Sequence, residues 1–338
     1  MKLDKYDPSV FLVLKAAYQY YILDRPQNQI AEELDVSITT VSRLLKRARD
    51  EKIIEFVIRN PYVECLNLGQ EIRSAFGLKE VIISPVNDMG EDGDDSTVDP
   101  EMVKKLVALE GARYLQRVIK ENDVLGMTWG STIYQMVNYL NPAQKANTTF
   151  VTLHGSLSNC VTEWDVRTLV SRMAKAFSGK KYILLTDTLM NSAETVKMLK
   201  KERSIFQVMD MFDKVNIAIN GIGAFYPKVT SILAEPYYLT PEEVAMLKAQ
   251  QVYGDVVLRF LNKDGEECDT ELKERTISIS LEQFKRIPVK ITLASGEGKA
   301  YAVMSALKGG LIDVLIVDSK LGETILKLHR EEEKENSK

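Results

Sequence analysis

Apolar residues recur at helical spacing along the first fifty positions of the chain. The stretch 8–24 has enough of them for a helix that packs on most of its sides, and the pair Arg25-Pro26 marks its end. A second helix is predicted at 27–34. A third begins after Ser37, because serine is a preferred helix N-cap and apolar positions recur at helical spacing beyond it. The N-terminal pattern therefore predicts three short helices.

Farther along the chain, short continuous apolar runs alternate with amphipathic stretches. Continuous apolar runs are typical of strands covered on both faces, and helices between them indicate parallel crossovers. We therefore expect a mostly parallel, Rossmann-like α/β domain. The predicted strands are 79–85, 123–129, 148–154, 181–186, 214–220, 254–261, 277–281, 289–294 and 313–318. The predicted helices are 64–76, 100–120, 130–140, 163–178, 241–250 and 297–308.

The two patterns meet at Asn60-Pro61, a turn-forming pair that we take as the domain boundary. The predicted organisation is a helical domain over 1–58 followed by an α/β domain over 59–338. Residues 53–58 alternate enough in polarity to form a short strand or wing after the third helix.

Two segments fall outside these patterns. Residues 87–101 hold seven acidic side chains and no basic one. This composition favours an exposed loop, and a metal site is the weaker alternative because the EF-hand spacing is absent. The polar tail from His329 onward is expected to fray.

Composition limits the possible partners of the chain. The formal net charge is −4 over 338 residues, so any contact with nucleic acid requires a local basic patch. Three widely spaced cysteines (Cys65, Cys160 and Cys268) and two histidines give no zinc-ligand spacing, and we predict neither metal nor cofactor. The N-terminus lacks the apolar core of a signal peptide, and no apolar run is long enough to span a membrane. We expect a cytoplasmic protein.

The stretch 27–49 has the features of a DNA-binding helix-turn-helix. Ala31 is small enough for the third helix to cross the second closely. Asp35 stands where such turns usually carry glycine, and aspartate tolerates the positive φ that the turn needs. Residues 37–59 hold six basic and three acidic side chains, which is a local basic patch. A plain helical hairpin is the alternative. The predicted DNA-contacting residues are Ser37, Thr39, Thr40, Ser42, Arg43, Lys46 and Arg47.

The best candidate site in the α/β domain follows the strand at 123–129. A strand runs into a loop flanked by Gly126 and Gly130, and a helix begins near Ser131. Free N–H groups at that helix start, together with nearby hydroxyls, form a phosphate cradle, although a tight strand-to-helix turn explains the motif equally simply. Other strand ends are expected to converge there, because ligands of open α/β sheets bind outside the carboxyl ends of the strands. These ends are 154–156, 221–223 and 295–299.

The ordered segments QNQIAEELDVSITTVSRLLKRARDEKIIEFVI, GMTWGST, NIAINGIG, GDVVLRF and ASGEGKAYAVMSALKGGLIDVLIVD resemble the SorC family of sugar-responsive transcriptional regulators. The resemblance covers nearly the whole chain. It implies a winged-helix-like DNA reader joined to a domain similar to sugar-phosphate isomerases, assembled as a homotetramer. The implied partners are operator DNA and a sugar or sugar-phosphate effector.

The same resemblance implies roles for individual residues. Lys299 matches a lysine that contacts sugar or phosphate, although a solvated surface lysine is the ordinary alternative, and Asp255 matches an acidic ligand of sugar hydroxyls. His154 falls where some members have arginine, and Arg167 falls where asparagine is expected. The phosphate loop corresponds to 128–132. The predicted effector-binding residues are Thr128, Gly130, Ser131, Thr132, His154, Gly155, Ser156, Asp255 and Lys299.

Two rival functions remain at this point. A sugar-phosphate isomerase or deaminase needs a positioned acid and base, and Asp187, Asp255 and Lys299 are candidates that no spacing ties together. The other rival is a regulator that responds to a protein partner and binds no small ligand. We predict a non-enzymatic regulator of carbohydrate genes that acts as a dimer or tetramer.

Overall fold

The computed structural model of the chain describes residues 8–51, 53–54, 62–86, 99–140, 146–157 and 163–336. The chain divides into two compact units, residues 1–59 and residues 60–338. Each unit has its own hydrophobic core.

The first unit contains three helices, α1 (Pro8–Tyr21), α2 (Gln27–Leu34) and α3 (Ile38–Asp50). Asp35 ends α2 with φ 53°, the left-handed conformation predicted for it, and Ser37 caps α3 by accepting from Thr40 N at 3.1 Å. The wing predicted at 53–58 lies largely outside the described residues. The core of the unit is formed by Val13, Ala16, Ala17, Ile30, Ala31, Val41, Leu45 and Ala48.

The second unit is built on a seven-stranded sheet in which every pairing is parallel. Its strands are β1 (Glu80–Ser84), β2 (Val124–Met127), β3 (Thr149–Thr152), β4 (Lys180–Tyr182), β5 (Ile217–Asn220), β9 (Val289–Ala294) and β10 (Val314–Asp318). They are ordered β1-β10-β9-β5-β2-β3-β4. The mostly parallel α/β architecture expected from the apolar runs is confirmed.

Helices cover both faces of this sheet, and each face has its own buried apolar cluster. The helices described in the second unit are α4 (Tyr62–Phe76), α5 (Pro100–Val118), α6 (Ser131–Asn138), α7 (Val166–Phe177), α8 (Ala193–Leu199), α9 (Arg203–Met209), α10 (Pro241–Ala249), α11 (Glu271–Arg275), α12 (Leu281–Arg286), α13 (Ala300–Lys308) and α14 (Ser319–Asn336). Among the described residues, no helix has the length and apolarity needed to cross a bilayer.

The predicted strand 254–261 is wrong as a single element. It is a hairpin of β7 (Gly254–Val256) and β8 (Arg259–Leu261), joined by Val257 and Leu258 at φ 50° and 62°. The turn was missed because such two-residue turns usually contain Asn or Gly. With β6 (Gly223–Ala224), the hairpin forms a separate antiparallel sheet.

Two other expectations are also corrected. Among the described residues, the predicted strand 277–281 makes one isolated bridge, that of Ser278 with His154, before α12 begins. The expected fraying after His329 does not occur, because α14 continues to Asn336. Ion pairs of Arg330 with Glu71 and of Lys308 with Glu332 tie this part of α14 to neighbouring helices.

Candidate functional site

A cavity of about 1050 Å³ lies at the carboxyl edge of the parallel sheet. Four helices, α5, α6, α13 and α14, begin after the carboxyl ends of β1, β2, β9 and β10. A cavity at this edge is the usual ligand site of open α/β sheets. The polar residues in its wall include Lys104, Thr128, Ser131, Thr132, Ser231, Asp255, Ser295, Lys299, Asp318 and Lys320.

The start of α6, at Ser131, lies in the cavity wall. Gly130 precedes the helix at φ 131°, and no side chain caps the helix. The first helical hydrogen bond runs from Tyr134 N to Gly130 O at 2.9 Å, so the N–H groups of 131–133 have no intrahelical acceptor. These groups, with the hydroxyls of Ser131 and Thr132, suit an anion such as phosphate.

The loop after β9 also lines the cavity. Gly296 has φ 90°, and its N–H donates to Asp318 Oδ2 at 2.7 Å, which fixes the loop to the end of β10. Lys299 ends the short helical turn 297–299 and precedes α13. The loop therefore carries a lysine to the rim of the same cavity that α6 enters.

Three lysines line the cavity: Lys104 of α5, Lys299, and Lys320 of α14. Burial, together with the nearby charge of Lys104, lowers the pKa of Lys299 to about 8. Lys104 is itself paired with Glu101 at 2.5 Å. An anionic ligand would offset the repulsion between the lysines, so the cavity is electrostatically suited to a phosphorylated compound.

Asp255 is a buried carboxylate in the cavity wall. Burial raises its pKa to about 6, against the hydrogen bond from Ser231 and the charge of Lys299. Ser231 Oγ donates to Asp255 Oδ1 at 3.3 Å. A carboxylate held in this way accepts hydrogen bonds from ligand hydroxyls.

The structure brings six of the nine predicted effector residues to this cavity, namely Thr128, Gly130, Ser131, Thr132, Asp255 and Lys299. It does not place His154, Gly155 or Ser156 in the cavity wall, and their expected position is corrected. The chain continues inward after β3, where Gly155 N donates to Ile277 O and Ser156 pairs with Asp165. His154 is fully buried beneath the 128–132 loop. Arg167 pairs with Asp165 at 3.0 Å and is absent from the cavity lining.

Sequence reasoning missed Lys104, Lys320 and Ser231. Lys320 had a usable signal, because it comes two residues after the end of an apolar strand run. Lys104 had none, because it lies one turn inside a helix and reaches the cavity only through the packing of α5. Among the described residues, no cluster of side chains could hold a metal ion.

The first unit presents the outer side of α3 to solvent. Ser37, Thr39, Ser42, Arg43 and Lys46 are exposed, and Thr40 and Arg47 are partly so. Arg47 Nε donates to Glu51 at 2.5 Å, which leaves Arg43 and Lys46 as the better-placed cations of the predicted set. Small hydroxyl residues at the helix start followed by cations suit contact with base edges and phosphates.

Comparisons with known proteins agree with this architecture. Residues 60–327 match the family described as "Putative sugar-binding domain". The deoxyribonucleoside regulator of Bacillus subtilis is 29% identical over 93% of this chain and 97% of that protein. The sorbitol operon regulator of Klebsiella pneumoniae is 28% identical over 94% of this chain and 98% of that protein. The crystal structure of that full-length regulator, SorC, superposes with a TM-score of 0.71 at 27% identity and covers 95% of this chain and all of that one.

Proposed function

We propose that this chain, which belongs to the sugar-binding domain family over residues 60–327, is a DNA-binding transcriptional regulator. In this proposal it regulates carbohydrate genes and is controlled by a sugar phosphate. The proposed domains are a DNA reader over 1–58 and an effector-binding and oligomerisation domain over 59–338. A reader of bacterial operator DNA acts in the cytoplasm. The relatives at 29% and 28% identity are named as regulators of deoxyribonucleoside and sorbitol genes, and they support this proposal.

The cavity is the observation that carries the proposal. The cavity lining offers the uncapped start of α6 and lysines from three elements, which suit a phosphate group. It also offers Asp255, which suits hydroxyl groups. A ligand that carries both a phosphate and hydroxyls satisfies both kinds of group. The proposed effector contacts are Thr128, Gly130, Ser131, Thr132, Asp255 and Lys299, with Lys104, Lys320 and Ser231 added.

DNA recognition is assigned to α3. Its exposed face carries hydroxyls near Ser37 and cations at Arg43 and Lys46. One such reader on a chain of net charge −4 makes few phosphate contacts, so useful affinity needs two readers on two half-sites. We propose that the second unit pairs the chains into a dimer or tetramer, and that the effector changes this pairing. For that, the effector has to bind the two arrangements with different affinity.

A ligand panel tests the proposal. The purified protein is titrated by calorimetry and thermal shift with ribose 5-phosphate, 2-deoxyribose 5-phosphate, fructose 6-phosphate, glucose 6-phosphate and sorbitol 6-phosphate, each beside its unphosphorylated parent. A compound present at about 100 times its Kd should stabilise the fold by about 2.7 kcal/mol. Binding of none of them would favour a regulator that responds to a protein partner.

Enzymatic activity is the second candidate, because one observation favours it. Asp255 and Lys299 face one cavity with pKa values moved to about 6 and about 8, the range in which acid–base catalysts work. We propose that they bind a ligand and do not turn it over, in keeping with relatives named as regulators. Two incubations of the protein test this: with the same five phosphates, following isomerisation, and with glucosamine 6-phosphate, following release of ammonia. Turnover above background in either would overturn it.

A further inference from the structure

The loop that leads into α6 is fixed by two hydrogen-bond acceptors. Trp129 N donates to His154 Nε2 at 3.0 Å, and Gly130 N donates to Trp164 O at 3.2 Å. Both acceptors belong to the connection between β3 and α7. The N–H groups of Trp129 and Gly130, just before α6, therefore point away from the cavity. The N–H groups of 131–133, in the first turn of α6, have no intrahelical acceptor.

The hydrogen bonds of His154 determine its tautomer. Its Nδ1 lies 2.6 Å from Gly155 O, and a carbonyl oxygen only accepts, so Nδ1 carries the proton. Its Nε2 faces the N–H of Trp129, so Nε2 is the unprotonated acceptor. Only a neutral imidazole with the proton on Nδ1 satisfies both contacts, and a charged ring would place two donors against each other at Trp129.

We propose that His154 is a positioning residue: its neutral ring, protonated on Nδ1, fixes Trp129 and thereby the N–H groups at the start of α6 in the orientation that binds phosphate. This inference rests on the proposed function, because it explains how the phosphate end of that site is built. His154 contacts no ligand, since it is fully buried and absent from the cavity wall. This positioning role replaces the direct contact with the effector that the sequence analysis predicted for His154.

Burial supports this assignment. Removal from water lowers the pKa of His154 to about 4, although the Gly155 carbonyl and the charge of Asp165 favour the protonated ring. The ring is therefore neutral at physiological pH, as the two contacts require. Trp129 also packs edge-on against Tyr238 with ring centroids 5.6 Å apart, so its backbone and its indole are both fixed.

The first experiment exploits the two tryptophans of the chain, Trp129 and Trp164. In a Trp164→Phe background, Trp129 emission is followed during titration with inorganic phosphate, with calorimetry in parallel. His154→Phe removes the acceptor and leaves the Trp129 N–H unpaired and buried. We expect phosphate affinity to fall roughly tenfold, the scale set by one buried hydrogen bond, and Trp129 emission to change even without phosphate.

Two further variants make the result specific. His154→Gln places an amide oxygen near the former Nε2 and should restore most of the affinity and the emission. His329→Phe changes the other histidine of the chain, in α14, and should leave both readouts unchanged. Unaltered affinity in His154→Phe would overturn the proposal. Equal losses in His154→Phe and His154→Gln would also overturn it, because ring shape would then matter and the acceptor would not.

The unsubstituted protein gives a test that does not depend on how a variant folds. With ¹⁵N-labelled histidine the spectrum holds two side chains, and His329→Gln assigns them. We expect His154 to show the neutral form protonated on Nδ1 at every pH from about 8 to about 5.5. A proton on Nε2, or loss of the neutral signal near pH 6.5, would contradict the proposal. These results stand even if no sugar phosphate binds, so the failure of the proposed function is distinguishable from the failure of this inference.

Discussion

Gly223 lies directly opposite Asp255 in the small antiparallel sheet, and its missing side chain leaves the space that the Asp255 carboxylate occupies. A Cβ at position 223 would lie 2.1 Å from Asp255 Oδ1 and 2.4 Å from Ser231 Oγ. The position of the Asp255 carboxylate in the cavity wall therefore depends on this glycine.

Gly223→Ala should accordingly displace Asp255 and Ser231. We expect destabilisation of about 1–3 kcal/mol, as for other overpacked sites, and weaker binding of whichever phosphate the panel selects. Gly221→Ala is the matched control, because Gly221 lines the same cavity and a Cβ there meets nothing within 4 Å. Denaturant unfolding and calorimetry measure both effects. If the two alanine variants lost the same stability and the same ligand affinity, the space at Gly223 would not be what positions Asp255.

Asp255 should make stability depend on pH. Its folded pKa of about 6 exceeds the ordinary 3.8, so the folded state binds more protons between these values and loses stability as pH rises from about 4 to about 6. The shift corresponds to a loss of about 3 kcal/mol. The difference in unfolding free energy between the wild type and Asp255→Asn should follow this course. A difference that does not vary with pH would contradict it.

His154 should act in the opposite direction. Its folded pKa of about 4 lies below the ordinary 6.5, so the unfolded state binds more protons between these values and stability is lost as pH falls through them. The size is again about 3 kcal/mol, and its sign is opposite to that of Asp255. Relative to the wild type, His154→Gln should become more stable as the pH falls from about 6.5 to about 4 in denaturant titrations. If the unfolding free energies of the wild type and His154→Gln changed with pH in the same way, the ring of His154 would not be neutral and buried.

Lys299 should make phosphate binding weaken in alkaline solution. Its pKa of about 8 means that the free protein loses this charge as pH rises through that value, and an anion binds the charged form better. Calorimetric affinity for inorganic phosphate should fall above about pH 8 in the wild type, and this decline should be reduced in Lys299→Gln. Lys248→Gln, on the exposed side of α10, should retain the wild-type profile.

Much of the fold followed from the sequence, because its signals are local. Apolar runs located the strands of the parallel sheet, and the rule that ligands bind at strand ends located the cavity before any side chain was placed. The hairpin around Val257 and Leu258 was not predictable, because tertiary burial of both residues overrides an unfavourable turn sequence.

The candidate site was only partly predictable for a related reason. Thr128 and Ser131 follow a strand end, where sequence reasoning looks for ligand contacts. Lys104 depends on how α5 packs, and no local pattern encodes that packing. His154 also follows a strand end, and the sequence therefore predicted a ligand contact there. In the structure His154 is buried and accepts a hydrogen bond from Trp129 N.

Arg43 provides the test of the DNA-binding face. It is exposed on α3, and Arg43→Ala should weaken binding to operator DNA by about 1–3 kcal/mol if it reaches a guanine edge, with relaxed specificity at that position. Lys15→Ala removes an exposed cation from α1 and should have little effect. Duplexes selected from a random library supply the operator, and gel-shift titration measures both variants. If the Arg43→Ala and Lys15→Ala variants bound operator DNA equally well, the proposed contact between α3 and DNA would be wrong.

A ligand bound in the cavity should change how tightly the same chain binds DNA. The affinity of the full chain for its selected operator is measured with and without a saturating concentration of the sugar phosphate that binds tightest in the panel. We expect a change of about fivefold or more in the wild type, the lower range of measured allosteric couplings, and none in Asp255→Asn/Lys299→Gln. Operator affinity that stays the same with the cavity filled and empty would contradict it.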